Sequence, residues 1–117
     1  MWIWVETHPV SITPRVRHAI ERHLQRVFER DQQRVSSVVL YLIQIPIPRD
    51  GARYSCRLVI WSKSLGQIVV GGAAPTIGAA IRQTTHRARN VVRKQAKRKY
   101  GNNRVSRFFP ADRKSLN

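Results

Sequence analysis

The spacing of apolar residues predicts one helix near the start of the chain, between two segments that are typical of β-strands. Residues 2–7 form a short β-rich segment. Thr13-Pro14 then predicts a helix start, because Thr13 can cap the exposed N–H groups and proline loses no hydrogen bond at the first helical position. The following apolar residues recur at spacings of three and four, which predicts a helix to about Arg30 with one buried stripe. The stripe comprises Val16, Ile20, Leu24, Val27 and Phe28.

Three further strands are predicted after this helix. Residues from Val35 to Ile45 are mostly β-branched or large and apolar, and the run of turn residues at 46–51 predicts a hairpin turn. In the next strand, mostly apolar side chains alternate with mostly polar ones, which predicts that the two sets lie on opposite faces of the sheet. The two sets are Tyr54, Cys56, Leu58 and Ile60, and Arg53, Ser55, Arg57 and Val59. A last strand is predicted at about 67–70, and Gly71-Gly72 is expected to end the sheet.

A second helix is predicted from about Thr76 to about Tyr100, with Gly101 as its C-terminal stop. Its expected buried side carries Ile77, Ile81, Thr84, Ala88, Val91, Val92 and Gln95. The order β-α-β-β-β-α therefore predicts an α+β fold, a four-stranded sheet with two helices packed on one face. We expect one domain over 1–101 and a basic tail over 102–117 that is either disordered or docked on the domain.

Charge is concentrated at the C-terminal end of the chain. Residues 76–117 contain twelve basic residues and one acidic residue, so they carry +11 of the formal net charge of +16. Eight basic residues lie between Arg82 and Lys99 without an acidic residue among them. Such a helix face repels itself unless an anion binds it, so the pattern favours a polyanionic partner over a face that is merely solvated. A second basic stripe, formed by Arg15, Arg22, Arg26 and Arg30, is weaker because Glu21 and Glu29 lie nearby.

Residues that could support catalysis or metal binding are scattered. The six acidic residues form no pair suited to general acid–base chemistry, so we predict that the protein is not an enzyme. His18 and His23 are five residues apart and lie on different sides of a helix, so surface positions are expected rather than a shared metal. Cys56 is expected to be a buried core thiol. We predict no cofactor, no metal and no small-molecule substrate.

The remaining features bear on location and on base recognition. The apolar start of the chain is interrupted by Glu6, so we expect neither a signal peptide nor a membrane span, and a cytoplasmic protein. Trp2, Trp4 and Trp61 are candidates for stacking on bases, but packing in the core or at a sheet edge is favoured. With no motif for reading bases, phosphate contacts and shape are expected to supply the affinity, which suits a structured RNA.

Three segments give the chain a family resemblance over about residues 1–101. They are Val10-Ser11-Ile12-Thr13-Pro14-Arg15-Val16-Arg17, the strand from Val35 to Ile45, and Ala79-Ala80-Ile81. With the element order and the basic last helix, they resemble the ribosome hibernation promoting factor family, also called ribosome-associated translation inhibitors or sigma-54 modulation proteins. The chain resembles the family's short form.

The resemblance implies binding to the small ribosomal subunit through ribosomal RNA, where the protein would block the decoding region and inhibit translation in dormancy or stress. By position, Arg17, Arg26, Arg87 and Lys94 match family residues that face ribosomal RNA. Charge and helical phase add Arg82, Arg89, Arg93 and Lys97. We expect a monomer off the ribosome. The alternatives are a general structured-RNA or double-stranded nucleic-acid binding domain and a small enzyme that acts on a nucleic acid.

Overall fold

The computed structural model describes residues 1–8 and 10–108, and for residues 48, 49 and 99–108 it describes the backbone alone. The predicted element order is confirmed. The strands are β1 (Trp2–His8), β2 (Val35–Arg49), β3 (Ala52–Ser62) and β4 (Gly66–Ala74), and the helices are α1 (Pro14–Val27) and α2 (Ile77–Phe108). A short 3₁₀ turn at Glu29–Asp31 follows α1.

The four strands form one mixed sheet in the order β1-β2-β3-β4. β1 runs parallel to β2 across the α1 connection, and the other neighbours are antiparallel hairpins. The register aligns Val5, Leu40, Leu58 and Val70 across the sheet. Side chains in this row, and in the rows two residues before and after it, face the helices. Side chains in the rows between them lie on the opposite side of the sheet, which we call the open face.

The core lies between the sheet and the two helices, as the apolar pattern predicts. α1 packs on β1, α2 packs on β3 and β4, and the helices contact each other. The core includes Leu24, Phe28, Leu40, Leu58, Ile60, Ala88 and Val92. Most of the expected stripes are buried, but Val16 and Gln95 are exposed. Val16 lies at the margin of its stripe, where a small rotation of α1 decides its exposure. Gln95 has the same helical phase as Ile77, in the middle of the predicted stripe of α2, so its exposure does not follow from helical phase.

The hairpin turn between β2 and β3 is tighter than predicted. β2 continues through Pro46 and Pro48, and only Asp50 and Gly51 form the turn, with φ values of 54° and 78°. The pairing register shifts between Gln44 and Arg49, so the prolines occupy an irregular stretch where a missing N–H donor disrupts little. The prediction that Asp50-Gly51 supplies the positive φ values is confirmed, but the prediction that the turn begins at Pro46 is wrong.

The prediction that Gly71-Gly72 ends the sheet is also wrong, because β4 runs through both glycines to Ala74. Gly72 faces α2 at close range. A Cβ atom there would lie 2.7 Å from the Thr84 hydroxyl and 2.8 Å from the side-chain oxygen of Gln83. Gly72 therefore serves the approach of α2 to the sheet rather than the end of the strand.

Both helices end at residues other than those predicted. Thr13 caps α1 as expected, accepting a hydrogen bond from the Val16 N–H at 3.2 Å, but the helix ends at Val27. α2 passes Gly101 and continues to Phe108. A single glycine costs only about 1 kcal/mol inside a helix, so it does not by itself end one. Part of the predicted tail is thus helical, and residues 109–117 lie outside the described range.

Candidate nucleic-acid interface

The basic face of α2 is directed to solvent because the opposite side of the helix is held in the core. Thr76 starts the helix, where its hydroxyl accepts the Ala79 N–H at 3.2 Å. The buried side consists of Ala80, Ile81, Thr84, Thr85, Ala88, Val92 and Ala96. The opposite side exposes Arg82, Arg87, Arg93, Lys94, Lys97 and Arg98. With about 100° between successive residues, these cations cover most of the solvent-facing half of the helix.

Two polar contacts dock this helix on the edge strand β4. Arg87 donates to the carbonyl oxygen of Gly71 at 2.8 Å, and the side-chain oxygen of Gln83 accepts the N–H of Ala73 at 3.1 Å. A guanidinium carries five N–H donors, so Arg87 retains donors for a phosphate. Arg87 and Lys94 lie within about 20° of each other around the helix axis, on the side nearer β4.

The other side of the basic face borders a cleft of about 190 Å³ between α1 and α2. Its lining includes His23 from α1 and Arg82, Thr85, His86 and Arg89 from α2. Within the described residues, the Nε atom of Arg89 is buried without a hydrogen-bond partner. The lining contains no acidic side chain, so the cleft has the charge and donors that favour an anion.

His23 is the residue of this cleft with the clearest electrostatic perturbation. Burial lowers its pKa below the usual value of 6.5, and the positive charges of Arg26 and Arg82 lower it further. The Thr85 hydroxyl donates to the Arg82 carbonyl oxygen at 3.1 Å, which leaves its oxygen to accept from His23 Nε2 at 3.2 Å. His23 is therefore a neutral donor at neutral pH, and it links α1 to α2.

Of Arg17 and Arg26, the two arginines of α1 that match family positions facing RNA, only Arg26 is exposed. Arg26 lies in the last turn of α1, close enough to His23 to affect its pKa. Arg17 is half-buried, and its guanidinium donates to the carbonyl oxygen of Val5, which ties α1 to β1. Contact between Arg17 and RNA stays a prediction, and the structure gives this side chain a role within the fold.

The structure brings some of the predicted site residues together and separates others. Arg82 and Arg89 meet at the cleft, whereas Arg93, Lys94 and Lys97 lie further along the same helix. Sequence reasoning expected a surface position for His23 and missed both its hydrogen bond with Thr85 and the cleft that it lines. No local signal marks this contact, because its two residues are 62 positions apart.

Neither a metal-binding cluster nor an exposed thiol is found among the described residues. They contain no group of three or more His, Cys, Asp or Glu side chains placed to hold a metal ion. Cys56 is buried as predicted, and burial raises its thiol pKa to about 11 although a hydrogen bond with Thr84 acts in the opposite direction. None of the helices in the described part of the chain is long and apolar enough to cross a bilayer.

The three tryptophans do not lie in the core. Trp2, Trp4 and Trp61 expose 57%, 46% and 48% of their surface, and all three are on the open face. The indole rings of Trp2 and Trp4 are parallel, with 3° between their planes and 6.0 Å between their centroids. Packing in the core is thus not observed, because alternation along a strand does not tell which of its faces is covered. Packing at a sheet edge, the other expectation, holds for Trp2 and Trp4, whose rings stack on each other on the edge strand β1.

Comparison with known proteins identifies the fold. No protein-family model matches the chain, and no curated protein matches its sequence. A ribosomal subunit interface protein from Coxiella burnetii matches with a TM-score of 0.65 and 14% identity, over 80% of this chain and 96% of that chain. The N-terminal domain of Protein Y from Thermus thermophilus matches with a TM-score of 0.63 and 18% identity, over 80% and 98%. The chain thus has the fold of these two proteins, and the resemblance inferred from its sequence is confirmed at the level of the fold.

Proposed function

We propose that the protein binds the small ribosomal subunit through ribosomal RNA and blocks the region where messenger and transfer RNAs are decoded. Translation would be inhibited by occupancy alone, in dormancy or stress. The observation that carries this proposal is the exposed basic face of α2, on a fold that a ribosomal subunit interface protein shares. The protein would act in the cytoplasm as a monomer off the ribosome, without a cofactor and without catalysing a reaction.

The charge arrangement on α2 supports a phosphate-rich partner. Arg93 and Lys97 are four residues apart, as are Lys94 and Arg98, and each such like-charge pair destabilises a helix by about 0.2–0.5 kcal/mol. Phosphates placed between these side chains relieve the repulsion and release condensed counterions. The cost of the free basic face thus becomes part of the driving force for binding RNA.

The two sides of the basic face suit different parts of one RNA surface. The cleft beside His23 has the size and the charge to hold a single phosphate between Arg82 and Arg89. The exposed cations further along α2, Arg93 and Lys94 among them, follow a phosphate backbone. A shape-dependent contact of this kind requires a folded RNA, such as ribosomal RNA, and little reading of bases.

Reversing two charges on α2 tests the proposal. Arg93 and Lys94 are exposed, and neither makes a hydrogen bond or ion pair within the described residues, so Arg93→Glu/Lys94→Glu should leave the fold intact. Arg87 is left unchanged because it bonds to Gly71. Loss of two charge-assisted contacts, at about 1.5–3 kcal/mol each, weakens binding to small subunits by roughly 100-fold or more. Co-sedimentation at several salt concentrations measures this loss. It also gives the slope of the logarithm of the binding constant against the logarithm of the salt concentration, which should become shallower by about one for each lost contact.

The matched control is Arg53→Glu/Lys63→Glu, which makes the same change in net charge. These two residues are exposed, and neither belongs to α2 or to the basic stripe of α1. The control should lower binding only slightly. Equal loss in both variants would mean that net charge alone drives association, and full binding by the α2 variant would refute the proposal. Displacement from subunits by an equal mass of plain duplex RNA would instead indicate a general double-stranded nucleic-acid binding domain.

A further inference from the structure

The open face of the sheet is the feature of the molecule that the basic helix does not explain. Its exposed large apolar side chains include Trp2, Trp4, Ile43, Trp61 and Val69. Soluble monomers rarely expose this much clustered apolar surface without a binding role. The face lies on the opposite side of the sheet from α1 and α2, so it has no part in the α2 interface.

The charged groups of this face are arranged around the aromatic rings. The Arg57 guanidinium lies 5.0 Å from the centroid of the Tyr41 ring, in the row next to Trp4. Glu6 is the one acidic side chain among the open-face positions of the four described strands, and it accepts a hydrogen bond from the Trp4 indole N–H. Arg53 also occupies an open-face position of β3, so two arginines against one glutamate leave a single net positive charge beside the solvent-exposed rings.

The aromatic rings are spaced to take more than one base. Trp2 and Trp61 pair with the same residue, Ser37, from opposite sides, so they are two strands or about 10 Å apart. Trp2 and Trp4 hold their rings parallel along β1, at the edge of an open concavity of about 450 Å³. Exposed aromatic side chains on a four-stranded sheet can stack two or three unpaired bases, while nearby arginines bind their phosphates.

We propose that the open face is a second nucleic-acid surface, which stacks the bases of a short single-stranded RNA segment on Trp2, Trp4 and Trp61. A second copy of the chain is disfavoured on this face, because two copies with a formal charge of +16 each repel. An apolar protein surface would not use the Arg57 guanidinium that the fold places among the rings. A single-stranded RNA matches both the rings and the charge.

Intrinsic fluorescence tests this proposal directly, because the three tryptophans of the chain all lie on the open face. The probe is an octamer of uridines, and its control is an abasic ribose-phosphate octamer of the same charge. The uridine octamer should quench the fluorescence and bind more tightly than the abasic octamer. The abasic octamer should bind through phosphate contacts alone, lose affinity steeply with salt and leave the fluorescence unchanged.

Substitutions assign the effect to named rings. Trp4→Ala should weaken binding of the end-labelled uridine octamer by about fivefold or more, whereas Trp4→Phe keeps an aromatic ring and should retain most of the affinity. Trp61→Ala, on β3, should cause a similar loss of affinity. The matched control is Val69→Ala, an exposed apolar residue of the same face that has no ring. Far-UV circular dichroism and a urea midpoint check that each variant is folded. The double variant Arg93→Glu/Lys94→Glu should lower the affinity for the abasic octamer more than the affinity for the uridine octamer, and it should leave the quenching at saturation unchanged.

Three results would overturn the proposal. Equal affinities for the two octamers, without quenching, would exclude base stacking. A dimer in sedimentation velocity that Trp4→Ala dissociates would make the face a self-association surface. A purified protein partner that binds the face and is lost in both Trp4→Ala and Val69→Ala, with no response to the uridine octamer, would assign an apolar protein contact. Because the octamers contain no ribosome, failure here leaves the ribosome proposal standing, and the reverse is equally true.

Discussion

The close approach of α2 to β4 makes Gly72 the position where a single methyl group should most clearly disturb the docking of the basic helix. In Gly72→Ala the new Cβ would lie 2.7 Å from the Thr84 hydroxyl oxygen, well inside van der Waals contact. Thr84 cannot turn away without loss, because it is fully buried and its hydroxyl donates to the Ala80 carbonyl oxygen at 2.8 Å. Either this bond breaks or α2 moves away from the sheet.

The expected magnitude follows from these contacts. Overpacking of a buried site destabilises a protein by about 1–3 kcal/mol. Displacement of Gln83, whose oxygen would lie 2.8 Å from the new Cβ and accepts the Ala73 N–H, adds about 1 kcal/mol if that bond is lost. We therefore expect a loss of about 1–4 kcal/mol in the free energy of unfolding, measured by urea denaturation with far-UV circular dichroism and an unchanged m-value.

The neighbouring glycine provides the control. A Cβ on Gly71 would point to the open face and meet only the Cys56 carbonyl oxygen at 3.6 Å, an ordinary contact. Gly71→Ala should therefore leave stability unchanged or raise it by up to about 1 kcal/mol, since alanine restricts the unfolded chain. Thr84→Ala in the Gly72→Ala background should recover part of the loss, with a coupling energy of about 1 kcal/mol. Equal effects of the two glycine substitutions would refute the close approach of α2 at Gly72.

Three further predictions concern other parts of the domain. Thr13→Ala removes the cap of α1 and should lower the free energy of unfolding by about 1 kcal/mol in the same urea assay. Thr13→Ser keeps a capping hydroxyl and should therefore keep most of the stability. Cys56, with its buried thiol and a pKa of about 11, should resist alkylation at pH 8 until urea unfolds the protein, and rapid labelling of the native state would contradict its burial. His23 should titrate below pH 6.5 in an NMR experiment. Between that lowered pKa and 6.5 the unfolded chain binds more protons than the native state, so stability should fall as pH falls through this window, and His23→Gln should remove that part of the slope.

Much of the architecture could be predicted from local sequence features. Thr13-Pro14 marks the start of α1, Asp50-Gly51 provides the positive φ values of the hairpin, and the alternation in β3 assigns Cys56 to the core side. Each of these signals acts within a few residues. Helical periodicity likewise placed the basic side chains of α2 on the face opposite the buried stripe, so the candidate phosphate surface was visible before the structure.

What the sequence left undetermined depends on contacts between distant segments. The His23–Thr85 bond and the attachment of Arg17 to β1 join elements that no local pattern connects, and they decide which basic groups belong to the cleft and which support the fold. The place of Gly72 in β4 depends on the approach of α2. Both faces of the central strands are rich in apolar residues, so only the packing of the helices on one of them left the three tryptophans exposed on the other. The sequence by itself thus determined the elements and the basic helix, whereas the tertiary structure decided which surfaces are free to bind, because burial is set by what packs on a face rather than by the residues of the face alone.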